Sequence, residues 1–167
     1  MTAARTIAAG AGVRRRAALV ALAAGGSAAS AARGSTLPAP GSLPDALASA
    51  LRTWQPLVVM ASTGGCPWCQ LVREHYLAPL QREQRLPVVQ LDIGSRAALL
   101  DFGGGATTHD ELLRRWQVRV APTLLFLGRD GREIAARLAG VAADFYGAYL
   151  DHRLATARRS LGRDSAA

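Results

Sequence analysis

The chain has 167 residues, half of them apolar, which excludes wholesale disorder and fibrous repeats. Its 20 positive charges are all arginine, set against 12 acids. Four of them (Arg5, Arg14, Arg15, Arg16) fall in the first 31 residues, which hold no acid, so the remainder carries only +4 and gives little support to a nucleic-acid partner.

Residues 1–16 carry only positive charge, Ala17 to Ala24 form a short apolar run, and Gly25-Gly26-Ser27 break it before Ala29-Ser30-Ala31. This is the order of a secretory signal peptide with an A-x-A cleavage site. The run is far shorter than the roughly 20 residues of a membrane-spanning helix. A twin-arginine signal, an organellar transit peptide and a disordered tail after a mis-assigned start are the rival accounts; export is the expectation. Residues 32–42, which include Leu37-Pro38-Ala39-Pro40-Gly41, read as a linker, 43–156 as the folded domain and 157–167 as a basic tail.

Leu43 to Arg52 is expected to open the domain as a helix with Leu43, Leu47, Ala50 and Leu51 on one face. Pro56 to Ala61 is a continuous apolar run, as in a strand buried on both faces. After the turn Ser62-Thr63-Gly64-Gly65 comes Cys66-Pro67-Trp68-Cys69 and a helix to about Gln84. Cys69, Val72, Tyr76 and Leu80 should share its inner side, and Pro79 should kink or shorten it. Leu86 to Leu91 is a second strand. Gly94 to Asp110 reads as a long connection whose Gly103-Gly104-Gly105 run is either a flexible loop near the substrate face or a solvated insertion. Thr108 with Glu111 is a capping box for a helix through Trp116. Pro122 to Leu127, the turn Gly128-Arg129-Asp130-Gly131, and Glu133 to Leu138 form a hairpin. A last helix from near Ala142 is expected to bury Phe145, Tyr149 and Leu154, with Arg153, Arg158, Arg159 and Arg163 as solvated charges. Trp54 and Trp116 read as packing residues. The order predicts an α/β fold: a parallel βαβ unit, then an antiparallel hairpin, with helices on both faces.

Only two cysteines exist, three residues apart. A bond between them closes a tiny ring and staples nothing together, so the spacing suits making and breaking a disulfide. Cys66 at a helix N-terminus would have its thiolate favoured by unpaired N–H groups and the helix dipole. It is therefore the expected nucleophile, with Cys69 one turn deeper as the resolving thiol. The rival readings are an inert pair and a zinc half-site completed by His75, His109 or His152, whose ligand set looks incomplete.

The strand before Cys66-Pro67-Trp68-Cys69, with Val120-Ala121-Pro122-Thr123 before the hairpin, resembles the thioredoxin superfamily over roughly residues 43–156. Asp101 to Thr108, followed by Leu112, Trp116 and Val118, is similar to bacterial periplasmic thioredoxin-like proteins, including thiol:disulfide interchange proteins and those of sulfur-oxidation systems. The resemblance implies a three-layer sandwich with a central mixed sheet of about four strands flanked by helices. It also implies that Pro122 is a cis-proline shaping the groove in which the Ala121 backbone pairs with substrate. Sequence order alone leaves that cis form level with a trans proline starting an edge strand.

Pro67 and Trp68 would tune the couple, Trp68 either reaching a partner protein or packing over the helix start. One departure from the family is the apolar strand Leu57 to Ala61, which lacks the buried acid that many thioredoxins place before the CxxC. Glu74 and His75 are read as surface groups, alternatively as proton carriers. The expectation is a periplasmic, monomeric thiol:disulfide oxidoreductase. It would act on protein thiols and disulfides with an unidentified redox partner, and with neither metal nor organic cofactor. The alternative is a metal-binding or assembly factor of the same fold without turnover.

Overall fold

The computed structural model describes residues 36–141 and 144–163; the expected leader, residues 32–35 of the expected linker and the last four residues lie outside that range. Helix α1 (Leu43–Arg52) starts on Ser42, whose hydroxyl accepts the Asp45 N–H at 3.2 Å, and buries Leu43, Leu47 and Ala50 as their spacing predicts. Strand β1 (Leu57–Ser62) is buried along its whole length. It pairs in parallel with β2 (Val88–Asp92) and antiparallel with β5 (Thr123–Leu127), which pairs in turn with β6 (Glu133–Ala139). The sheet order is β2-β1-β5-β6.

Alternate residues of β1 feed two cores, because successive side chains on a strand point to opposite faces. Val58 and Met60 pack with Cys69, Val72 and Leu77 of the CxxC helix and with Tyr146, Leu150 and Leu154 of α5 (Tyr146–Arg163). Leu57, Val59 and Ala61 pack with α1 and with Leu112 and Leu113 of α4 (His109–Arg115). The result is a helix–sheet–helix sandwich around a mixed four-stranded sheet.

Four details differ from the sequence reading. The CxxC helix is α2 (Pro67–Val72), one π-helical turn (Arg73–Leu77) and α3 (Ala78–Gln84). Pro79 has no N–H to give a regular ladder, and the Ala78 N–H reaches back to the Arg73 carbonyl instead. The wider turn advances the helix phase by one residue, so Leu77 and Ala78 are buried while Tyr76 and Leu80 are only half-buried. The last helix begins at Tyr146, and the same one-residue shift leaves Phe145 and Tyr149 exposed and buries Tyr146 and Leu150. It continues to Arg163 with Ala157 and Leu161 inside, so residues 157–163 are helix rather than tail.

The third difference is a hairpin within the expected connection, β3 (Ala98–Leu100) and β4 (Ala106–Thr108). The Asp101 carboxylate closes its turn by accepting the Gly103 and Gly105 N–H groups, each at 3.0 Å, and pairs with Arg115. Those amides and the guanidinium hold its pKa below the usual carboxylate value. Gly104, at φ +77°, is where the turn needs glycine. Fourth, part of the expected linker belongs to the fold. Leu37 is buried, the Pro38 carbonyl accepts the Gln90 N–H at 2.9 Å, and Gly41 accepts from Leu100.

Of the two tryptophans read as packing residues, Trp116 stacks on Phe102 at 6.1 Å between ring centres, but Trp54 is 61 % exposed. Among the described residues no helix is long and apolar enough to cross a membrane.

Candidate active site

Cys66 lies just past the C-terminal end of β1 and is the N-cap of α2. A glycine with φ +69°, Gly65, turns the chain into the helix, and Pro67 occupies the first turn, where a missing N–H costs nothing. The Cys66 sulfur accepts the Cys69 N–H at 3.1 Å, taking the place a serine or aspartate oxygen takes in an ordinary cap. Cys66 and Cys69 are disulfide-bonded, with Cα atoms 5.2 Å apart. Cys66 is half-buried and Cys69 is 1 % exposed, so only the first sulfur is open to another molecule. Trp68 stands in solvent beside them.

On the β5 side, the Ala121–Pro122 peptide bond is cis, and the Pro122 carbonyl accepts the Gly140 N–H at 2.8 Å. No hydrogen bond among the described residues uses the Ala121 N–H or carbonyl. Val120, one residue earlier, is exposed.

On the β2 side, Cys66 opens onto a cleft of about 620 Å³ whose wall includes Gly64, Gly94, Ser95 and Arg73. Sequence reading missed a polar chain there. Arg73 donates through Nε to Gln90 at 3.0 Å and through a terminal nitrogen to the buried Ser62 hydroxyl at 3.4 Å. Gln90 donates onward to Asp92 at 2.8 Å. The signal was visible as two polar residues at a spacing of two inside an otherwise apolar strand, which puts Gln90 and Asp92 on one face. The position on β1 that pairs with Gln90 is Met60, so the strand before the CxxC carries no ionisable group.

Glu74 accepts a hydrogen bond from Gln70 on the outer side of the helix, and His75 is exposed. His109 is buried, and its Nδ1 accepts the Asp92 N–H at 3.2 Å. Burial lowers its pKa below the ordinary histidine value, against a smaller opposing pull from Asp92. His152 is exposed on α5. These three histidines are thus dispersed, and no group of three or more metal-ligating side chains forms among the described residues. Gly103 to Gly105 do not line the cleft, although Gly94 and Ser95 of the same segment do.

A mixed sheet sandwiched by helices, with a cysteine pair at the start of the helix after its central strand, defines a disulfide-forming α/β protein. The thioredoxin-like domain family matches residues 43–152, and the chain belongs to that family. No curated protein matches the sequence. Among solved structures it is similar to a thioredoxin from Thermus thermophilus, at 23 % identity over 72 % of this chain and 86 % of that one, with a TM-score of 0.47. It is also similar to DsbH oxidoreductase, at 18 % identity over 75 % and 88 % with a TM-score of 0.48. Thioredoxin O2 from Arabidopsis thaliana matches at 18 % identity over 66 % and 84 %, with a TM-score of 0.46.

Proposed function

We propose that the protein is an exported, periplasmic thiol:disulfide oxidoreductase that works on protein substrates through Cys66 and Cys69. The observation that carries this reading is the pair's asymmetry, with Cys66 open at a helix start and Cys69 sealed one turn below. In the reducing direction the Cys66 thiolate attacks a substrate disulfide, expelling one substrate sulfur as thiolate. Cys69 then gives up its proton to that departing sulfur and attacks Cys66. This releases the second substrate sulfur and leaves the Cys66–Cys69 disulfide. The oxidising direction is the reverse, and a redox partner restores the starting state.

Three features favour the thiolate at Cys66: the Cys69 N–H, the helix N-terminus and the Arg73 charge in the same cleft. Arg73 takes on weight because β1 supplies no acid to assist Cys69. Substrate would lie extended across the Ala121 backbone, beside Pro122, with Trp68 and Val120 meeting its side chains. The unpaired Ala121 amide groups support that pose.

Cys66→Ser should abolish turnover in an insulin-reduction assay, and Cys69→Ser should accumulate mixed disulfides on non-reducing gels. Retained turnover in Cys66→Ser would sink the mechanism. Following thiolate absorbance with pH in Cys69→Ser, with and without Arg73→Gln, tests the guanidinium. The Cys66 titration should move up when the guanidinium is removed, and no movement would rule out a role for Arg73. Equilibration with glutathione then assigns direction. A potential near about −120 to −180 mV marks an oxidase or isomerase, and one near about −270 mV a reductase.

A further inference from the structure

The end of the sandwich opposite Cys66 has a chemistry that thiol exchange does not use. Cys66 follows the C-terminal end of β1, and the other end of that strand is about 20 Å away for six residues. There, Arg158 of α5 donates through Nε to Gln55, before β1, at 3.0 Å and through a terminal nitrogen to Gln84, at the end of α3, at 3.1 Å. These bonds draw the C-terminal parts of three helices together. They bring Arg52 of α1, Arg82 and Arg85 at the end of α3, and Arg159 and Arg163 of α5 to one pole. All five are exposed, and Arg158 is half-buried.

This charge is not spent on ion pairs among the described residues. Among the described residues, the ion pairs Arg114–Asp110, Arg115–Asp101 and Arg137–Glu133 use none of these six arginines. Their hydrogen-bond partners are neutral: Ser49 for Arg52, Thr156 for Arg159, Ser160 for Arg163, and the two glutamines for Arg158. Among the described residues, three helix C-termini contribute roughly −1.5 charges in all and Glu83 contributes one more, so they offset less than half of the +6. Asp130 at this end lies in the β5–β6 turn between Arg129 and Arg132 in sequence.

An exposed indole belongs to the same pole. Trp54 directly precedes Gln55, is 61 % exposed, and sits in the left-handed region at φ +56°, which a bulky residue rarely adopts. Its ring packs in neither core. An exposed tryptophan next to Gln55 and two residues from Arg52, at an arginine-rich pole, matches the composition of an interfacial anchor, with an apolar ring for the acyl boundary and cations for anionic headgroups.

We propose that this pole docks the protein on the surface of a bilayer containing anionic phospholipid, with Trp54 at the headgroup level and the Cys66 end turned away into the aqueous space. The surface is peripheral and reversible, and it holds a redox site one domain's length from the lipid.

Flotation of the full chain with vesicles of equal parts phosphatidylcholine and phosphatidylglycerol tests this, with pure phosphatidylcholine vesicles alongside. Binding should require phosphatidylglycerol and fall away near 1 M salt, where the screening length is about 3 Å. Arg159→Gln with Arg163→Gln should weaken it about thirtyfold, at about fivefold per charge. The basic leader is the same in both proteins, so their difference reports the pole alone. Anionic vesicles should also shift indole emission to the blue, and Trp54→Phe should remove that shift. Insulin reduction in solution should be unchanged in these variants, which lie far from Cys66 and show that the fold is intact. Equal binding by wild type and the double variant, or equal binding to neutral vesicles, would overturn the proposal. So would an arginine-dependent affinity for heparin without any for vesicles, which would assign the pole to an acidic macromolecule.

Discussion

The two faces of the sheet are built to different standards. On the α1/α4 face, both helices start on capping side chains and end within a residue of where the sequence places them, and α1 buries Leu43, Leu47 and Ala50 as expected while Leu51 is half-buried. On the α2/α3/α5 face, the helix after the CxxC contains a π-turn, α5 is rotated by one residue from expectation, and a phenol is buried without a partner among the described residues. The face that carries Cys66 is thus the irregular one. Its side chains meet several demands at once: a cysteine must act as a helix cap, a proline must fit in mid-helix, and a guanidinium must reach Gln90 and Ser62 on the neighbouring strands. The other face only has to pack.

The largest expected effect breaks this comparison on the irregular side. If the π-turn sets the helix phase, Leu77→Ala empties a fully buried site and should cost about 3 kcal/mol. Leu80→Ala, at a half-buried site that a regular helix would have turned inward, should cost about 1 kcal/mol or less. Urea denaturation of the two variants distinguishes the phases, and equal costs would mean the π-turn does not govern packing.

Next is His109, where the regular face touches the polar strand end. His109→Leu leaves the part-buried Asp92 N–H without its acceptor and should cost about 1 kcal/mol. The wild type should also carry a pH signature. Its folded pKa is depressed by burial, so below the ordinary value of 6.5 the unfolded chain takes up a proton that the folded chain resists. Stability should fall as pH drops below about 6.5, and the Leu variant should lack that part of the slope. Thr108→Ala, which removes one half of the capping box, should cost about 1 kcal/mol and leave the reduction potential unchanged.

What was legible in the sequence divides along similar lines. The four-stranded sheet, α1 and the start of α4 announce themselves through continuous apolar runs, helical spacing and the Thr108–Glu111 pair. The cysteines announce themselves by their spacing and by the glycine turn before them. The β3–β4 hairpin did not. Each strand is three residues long with one buried side chain, and the turn depends on the Asp101 carboxylate folding back onto two amides. The Arg73–Gln90–Ser62 contacts did not either, because they join residues 11 and 17 positions apart through side chains alone. Phe145 and Tyr149 were misassigned because their neighbours Tyr146 and Leu150 offer an equally good apolar stripe. Only packing against Tyr76, at 5.0 Å between ring centres, decides between them.

The smallest effect concerns that last pair and has the opposite sign to the others. The Tyr146 hydroxyl is buried with no hydrogen-bond partner among the described residues, and burial drives its pKa well above the ordinary phenol value. Tyr146→Phe keeps the ring, its tilted contact with Tyr76 and nearly all the volume, while removing a desolvated polar group. Deleting an unpaired group avoids its desolvation cost, so the variant should be as stable as wild type or more stable by about 1 kcal/mol. A matched change on the regular face gives the opposite result, since removing the Thr108 hydroxyl strands an amide that had a partner. If urea denaturation instead shows Tyr146→Phe to be destabilised by 1 kcal/mol or more, about the worth of one hydrogen bond, then the phenol is paired in solution. The α2/α3/α5 face would then keep the Arg153 Nε as its buried polar atom without a partner among the described residues.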